Sequence, residues 1–319
     1  MTAHQFAPTK VLVVGGAGFI GSRLTSILCD LGYEVIVLDD LSYGYRHLID
    51  KRAAFIHGSM RDLLSFTDII SGCSVAFMLA AKSIIATSYT NPLSYIDTNI
   101  VEFAECVLNL KRMKITQIIF SSSASVYGVP KVDIVDESLS KNPITVYGAT
   151  KSACEELLAG FAAAYSLDSV ALRFFNAYGP NDLQQPVTRA VPAWIQNGLR
   201  GLPVNLFWSG QQVRDYVYVD DIARAHVSCI GLRGHHRFNV GSGTGIRMVD
   251  LLRLIEIKLD KSCIVIDAGS RSGDPNSLVA SNDAIRAWTG WRPETEIQIG
   301  LDITIDYYKQ HIREMQIDT

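Results

Sequence analysis

The sequence predicts an α/β fold, a doubly wound parallel sheet joined to a smaller mixed α/β lobe. Three observations carry that expectation. Short β-branched runs recur along the first half of the chain, and segments of helical length separate them. The runs are also apolar throughout instead of alternating, as strands buried on both faces require. The first run, Lys10–Val14 (KVLVV), ends in glycines and leads into a helical pattern from Gly18 to about Leu31. Glu34–Leu38, Ala53–His57, Val75–Leu79, Gln117–Phe120 and Val170–Phe175 repeat the strand pattern, with helices predicted over Pro92–Leu110 and Ala149–Tyr165. Beyond Phe175 the texture changes, and Pro180, Pro186, Pro192 and Pro203 punctuate a loop-rich stretch. The expected division is therefore a sheet domain over residues 1–175, to which the chain returns at about 217–247. Residues 176–216 and 248–319 form the second lobe.

Composition excludes several classes. The 319 residues suffice for one large domain or two smaller ones. With 48% hydrophobic residues, 19% charged residues and a net charge of −3, nothing suggests a nucleic-acid or anionic-membrane partner. No apolar run reaches spanning length, and MTAHQFAPTK has no signal-peptide core. The cysteines (29, 73, 106, 154, 229 and 263) are scattered without a CxxC pair, which predicts buried thiols in a reducing cytoplasm. The histidines form no spaced ligand set, and no metal is expected, including at His235 and His236.

Two clusters carry chemistry. VLVVGGAGFIG places Gly15, Gly16, Gly18 and Gly21 directly after the first strand and at a helix start. Glycine there permits the tight turn and close approach of a pyrophosphate, which the helix N-terminus attracts. The second strand ends in LDDLS, where Asp39 would bond an adenosine ribose 2′-OH and repel a 2′-phosphate. NAD is the cofactor so predicted. The second cluster is FSSSASVYG followed by YGATK, in which Tyr147 and Lys151 share one helix face. Phenol and ammonium have reference pKa values of about 10 and 10.4, poor for acid–base work at neutral pH. Chemistry there requires a nearby positive charge to favour the phenolate.

GGAGFIG, SSSASVYG, Tyr147-x-x-x-Lys151, RFFNAYGP, VRDYVYVDD, FNVGSG and RSGDP stand in the order found in extended short-chain dehydrogenases/reductases. From Lys10 to about Tyr308 the chain resembles the NAD-dependent nucleotide-sugar epimerase/dehydratase family, which implies a Rossmann-like sheet. The resemblance implies that Tyr147 is the acid–base, that Lys151 holds the nicotinamide ribose while lowering the tyrosine pKa, and that Ser123 bonds the reacting sugar hydroxyl. It implies cofactor contacts at Gly15, Gly18, Phe19, Ile20, Gly21, Asp39, Asp40, Ser42, Gly44, Leu79, Ala80, Ala81, Ser83, Asn99, Ser121 and Phe174. It also implies a nucleotide-diphosphate clamp. Arg214 and Arg271 would grip the diphosphate, with Asn176 at the phosphate–sugar link and Asn205 and Phe207 beside the base. Ser83, Ser125, Arg189, Val191 and Asp274 complete the implied substrate contacts.

The same resemblance discriminates among reactions. Dehydratases of this family carry an Asp–Glu pair where this chain has Ala124 and Ser125. Without those carboxylates, expulsion of water is poorly provided for, and the serine cluster looks most like that of UDP-hexose 4-epimerases. In that reaction the tyrosine takes the C4 hydroxyl proton while C4 is oxidised, and the 4-keto sugar is reduced on its other face. A nucleotide-sugar dehydrogenase or reductase, a dehydratase-related enzyme and a non-catalytic NAD sensor are the alternatives. The chain also departs from the family. Ser59 replaces the acid that usually meets adenine, leaving the Met60 backbone for that contact. Phe77, Lys82 and Leu278 are further departures that leave the sugar open. Apolar faces on the helices Pro92–Leu110 and Ala149–Tyr165 resemble those that build a homodimer's four-helix bundle.

Overall fold

The computed structural model describes residues 9–270 and 275–317, with side chains as far as 311. Arg271 and Asp274 lie outside the described residues.

Side chains of β1 (Lys10–Val14) alternate between two cores, Val11 and Val13 on one side and Leu12 and Val14 on the other. After α1 (Phe19–Asp30), β2 (Glu34–Asp39) does the same, with Val35 and Val37 opposed to Ile36 and Leu38. Burial on both faces is why these runs are apolar at every position. The chain continues through β3 (Ala54–His57), α2 (Thr67–Ile70) and β4 (Val75–Met78). Next come α3 (Ile85–Thr90), α4 (Pro92–Ile96), a π-helical stretch Asp97–Glu102 and α5 (Phe103–Arg112). The predicted helix Pro92–Leu110 is thus a rod with a π-helical middle. Strand β5 (Gln117–Ser123) runs through the whole serine cluster, with Ser121, Ser122 and Ser123 opposite Leu172, Arg173 and Phe174.

Beyond β6 (Ile134–Val135), α6 (Val146–Tyr165) starts three residues earlier than predicted. The Thr145 hydroxyl accepts from the Gly148 amide at 2.9 Å and caps the helix there. Tyr147 therefore sits in the first turn and Lys151 one turn deeper. β7 (Asp168–Phe174) and β8 (Asn176–Tyr178) lead to α7 (Ala190–Arg200) and β9 (Val204–Leu206). β10 (Val213–Tyr218), α8 (Val219–Ser228), β11 (His235–Val240) and β12 (Gly245–Arg247) follow. The described chain ends with α9 (Met248–Leu259), β13 (Val265–Asp267), β14 (Ser277–Ala280), α10 (Asp283–Thr289) and α11 (Ile297–Ile317).

Seven of these strands form one parallel sheet in the order β11-β7-β5-β4-β1-β2-β3. The chain builds outward from β1 through β2 and β3, then returns to β1's other side with β4. Strand order therefore reverses between β1 and β4, and a crevice at such a switch point is where open α/β sheets bind ligands. Helices α1 and α8 cover one face, and α5 and α6 cover the other. A second, smaller sheet runs β12-β10-β14-β6, and β10 also pairs with β8. Its helices α7, α9 and α11 share a separate apolar core that includes Trp194, Ile195, Leu251, Ile255 and Leu301.

Candidate active site

The glycine turn lies at the carboxyl end of β1, beside the switch point. Gly15 has φ +89°, and a Cβ there would fall 2.4 Å from the Ala80 amide nitrogen. A Cβ on Gly21 would lie 2.1 Å from the Gly15 carbonyl oxygen, so only glycine lets α1 seat on β1. No side chain caps α1, and the amides of Phe19, Ile20 and Gly21 in its first turn are the donors a pyrophosphate would take. Asp39 ends β2 with one carboxylate oxygen accepting from the Ala17 amide at 2.9 Å and the other from Leu41 at 2.8 Å. Burial raises its pKa, and those two amides oppose the rise. The carboxylate thus pins the glycine turn and retains lone pairs for a ribose hydroxyl. Gly44 closes the loop over the turn, its α-carbon face packed on Ala17. Asp40 is exposed and accepts from the Ser42 amide at 2.9 Å. These features fit a dinucleotide.

Near the expected adenine contact at the Met60 backbone, the side chains are committed within the protein. The Ser59 side chain caps the turn Met60–Phe66, donating to Asp62 at 2.7 Å, and Met60 is buried. Leu79, Ala80 and Ala81 follow β4, where the Leu79 and Ala80 amides donate to the Val14 carbonyl at 2.8 and 2.9 Å. Asn99 is buried, and its amide braces Lys82 and Thr150. A side chain committed to joining the β4 loop to α6 orients the site instead of reaching into it. Lys82 extends its ammonium to the Ser94 hydroxyl. Ser83 accepts from Gln184 at 3.2 Å, linking that loop to the second lobe.

Tyr147, Lys151 and Ser123 come together at the carboxyl end of β5. The Ser123 side chain faces the Tyr147 hydroxyl closely enough to favour its ionised form, and Ser123 accepts from the Ser125 amide and hydroxyl at 3.2 and 3.0 Å. The Lys151 ammonium donates to the Ser121 carbonyl at 2.8 Å and stands 5.9 Å from the Tyr147 ring centre. Burial pushes the Tyr147 phenol up to about 12, against the Ser123 side chain and the Arg189 charge, and pushes Lys151 down to about 8. The expected lowering of the phenol by Lys151 is therefore not built into the protein alone. Desolvation dominates, and the ammonium is turned toward a carbonyl. Position 124 holds a buried methyl group and position 125 a hydroxyl, so neither offers a carboxylate.

In the second lobe, Arg214 is buried on β10 with one guanidinium nitrogen donating to the Val213 carbonyl at 2.8 Å, and it lies opposite Leu278 of β14. Asn176 donates to the Asp215 carbonyl at 3.1 Å. Asn205 is exposed on β9, and Phe207 follows it. Arg189 is anchored by the buried Asp182 at 2.6 Å and stacks 5.4 Å from the ring of Phe19 in the glycine turn. The guanidinium thus spans both parts of the cleft. Val191 packs into the lobe's core and offers no side chain to a ligand, because its helix turns that face inward. Phe174, half-buried at the end of β7, touches the ring of His226.

Several organising residues have no role predicted from the sequence. Glu155 accepts from Ser122 at 2.6 Å and from Arg173 at 2.9 and 2.7 Å, and Arg173 reaches the Tyr127 hydroxyl at 2.8 Å. Asp215 accepts from Ser242, Gly243 and Ala280, which explains the Gly241-Ser242-Gly243 loop: a Cβ on Gly241 would lie 2.4 Å from that carboxylate. Among the described residues no cluster of His, Cys, Asp and Glu could hold a metal, and no helix is long and apolar enough to cross a membrane.

Comparison with known proteins agrees with this geometry. The model of the NAD dependent epimerase/dehydratase family matches residues 11–241. A UDP-glucose 4-epimerase of Rhizobium leguminosarum bv. trifolii is 34% identical over 310 residues, covering 91% of this chain and 94% of its own. The solved UDP-glucose 4-epimerase of Thermotoga maritima, with UDP-glucose, superposes at TM-score 0.88 with 32% identity, over 95% of this chain and 99% of that one. That of Thermus thermophilus, with NAD, gives 0.87 and 31% over 94% and 99%. The chain belongs to the NAD-dependent epimerase/dehydratase family of extended short-chain dehydrogenases/reductases.

Proposed function

We propose that the protein is an NAD-dependent epimerase that inverts C4 of a UDP-linked hexose. The observation that carries this reading is the grouping of Ser123, Tyr147 and Lys151 at the switch-point crevice, beside a glycine turn and an uncapped helix start that suit a dinucleotide's phosphates. The relatives are UDP-glucose 4-epimerases, solved with UDP-glucose or NAD. Ala124 and Ser125 support epimerisation over dehydration, since no acid stands there to expel water.

NAD, when bound, supplies a positively charged ring that removes a hydride from sugar C4 and returns it. The chain's own residues do the rest. Ser123 holds the C4 hydroxyl against Tyr147, which takes its proton on oxidation and returns it on reduction. Lys151, whose ammonium rests on the Ser121 carbonyl, would hold the nicotinamide ribose. Because burial alone leaves Tyr147 protonated, the positive charge of the oxidised cofactor is what favours phenolate in the working site. Gly15, Gly18, Gly21 and Asp39 hold the dinucleotide. Arg214, Arg189 and Asn176 hold the diphosphate end, with Asn205 and Phe207 near the base. Residues 1–175 and about 217–247 serve the cofactor; 176–216 and 248–319 serve the nucleotide sugar. The protein acts as a homodimer through the outer faces of α5 and α6. Its six free cysteines suit a reducing cytoplasm.

The test is direct. Dialysed protein should interconvert UDP-glucose and UDP-galactose with bound or stoichiometric NAD, read by NMR of the products. NADH accumulating with each turnover would establish a dehydrogenase instead, and loss of water from the sugar would overturn both.

A further inference from the structure

One buried titratable group has no part in the chemistry so far. His226, on α8, is 0% exposed. Its Nδ1 lies 2.8 Å from the Ile222 carbonyl oxygen, which can only accept, so Nδ1 carries a proton. Burial keeps the ring neutral, lowering its pKa to about 4, and Nε2 is left as an acceptor. Nε2 lies 2.8 Å from Ser121 Oγ, so the serine hydroxyl donates to it. That same serine offers its backbone carbonyl to the Lys151 ammonium at 2.8 Å. The imidazole is held between Phe77 and Phe174, with ring centres 6.4 and 5.9 Å away. A residue needed only for packing would be better apolar, because both ring nitrogens must be satisfied in a dry core.

We infer that His226 is a positioning residue. Locked in one tautomer, it fixes the Ser121 hydroxyl toward α8 and thereby holds the end of β5, with the carbonyl that receives Lys151, in one place. The inference rests on the epimerase reading for what Lys151 does, but not for the tautomer itself. The site is set from both sides of the sheet. From α6 comes the ammonium, and from α8 comes the anchor of the strand that receives it.

The first measurement needs no cofactor. Nitrogen-15 NMR of imidazole-labelled protein at neutral pH should show His226 protonated at Nδ1 and bare at Nε2, with the Nε2 resonance moving in Ser121→Ala. The second is a cycle of variants. His226→Leu and Ser121→Ala should each lower kcat about tenfold, with KM for the nucleotide sugar within about twofold. Each should also weaken NAD binding by calorimetry, and the double variant should lose no more than the worse single one. His226→Gln, whose amide oxygen can take the serine hydroxyl, should recover most of the loss. An Nε2-protonated tautomer, losses that multiply in the double variant, or a glutamine no better than leucine would each overturn the inference. Should His226→Leu fail to fold, Ser121→Ala and the tautomer decide. If the wild-type protein proves not to epimerise sugars, the tautomer and the NAD affinities still test the anchor separately.

Discussion

Tyr147 sits 9% exposed in the first turn of α6, with its hydroxyl facing Ser123 and its ring in a dry pocket. Removing that hydroxyl leaves the ring's packing intact, so Tyr147→Phe should fold and bind NAD as before while losing turnover by about a thousandfold. A loss of less than about tenfold would take the phenol out of the reaction. Asp39 is a harder residue to interrogate, because its carboxylate also holds the amides of Ala17 and Leu41. Truncation to alanine would loosen the glycine turn as well as remove the charge. Asp39→Asn keeps an acceptor and removes the like charge that a 2′-phosphate would face. NAD should bind the wild-type protein much more tightly than NADP, and the asparagine variant should narrow that gap. Equal affinities in the wild type, measured calorimetrically, would show that Asp39 does not read the ribose.

At the scale of elements, legibility follows distance along the chain. The glycine turn, the Tyr147–Lys151 face and the six strands from β1 to β7 that build most of the sheet are readable because their determinants are local. The pairings that hold those elements in register are not. Ser121 and His226 are 105 residues apart, and Glu155 and Arg173 meet across 18. No period or motif announces them. One hint is present: Arg173 is a charge within VALRFF, a strand otherwise built to be buried on both faces, and such a charge must have a buried partner. The adenine side misleads for a different reason, since Ser59 is a helix cap as readily as a ligand. The Glu155–Arg173 pair ties α6, which carries Lys151, to β7, one strand in from the sheet's edge. Glu155 is 0% exposed and Arg173 2%, so Arg173→Met should cost about 3 kcal/mol in denaturant unfolding by taking two guanidinium hydrogen bonds from a buried carboxylate that keeps Lys141 at 3.4 Å and Arg237 at 3.8 Å. Pairing it with Glu155→Leu should return part of that stability. A single variant as stable as wild type would mean that the pair is not what fixes α6.

For the whole molecule, inversion at C4 demands that the keto sugar turn over while its nucleotide stays put. The architecture divides those tasks. On the proposed reading, the seven-stranded sheet would hold the dinucleotide at its switch point, and the second lobe, which has its own core, would grip the nucleotide. The remaining question at this scale is what covers the outer face of α5 and α6. Ile100 of the π-helical stretch before α5 and, on α6, Ala153, Glu156, Leu157, Gly160, Phe161, Ala164 and Tyr165 line a shallow, mostly apolar groove there, with Tyr165 46% exposed. An apolar surface of that kind suits packing against another pair of helices, as the proposed homodimer requires. Gly160 makes the test clean. A Cβ placed on it meets nothing within 4 Å, and glycine inside a helix is worse than arginine by about 0.5–1 kcal/mol. Gly160→Arg should therefore leave the monomer folded and no less stable, while a charged side chain projects into the groove. Wild-type protein should sediment as a dimer and the variant as a monomer with an unchanged circular dichroism spectrum. A monomeric wild type, or a variant that still dimerises, would place any association elsewhere and leave this face to solvent.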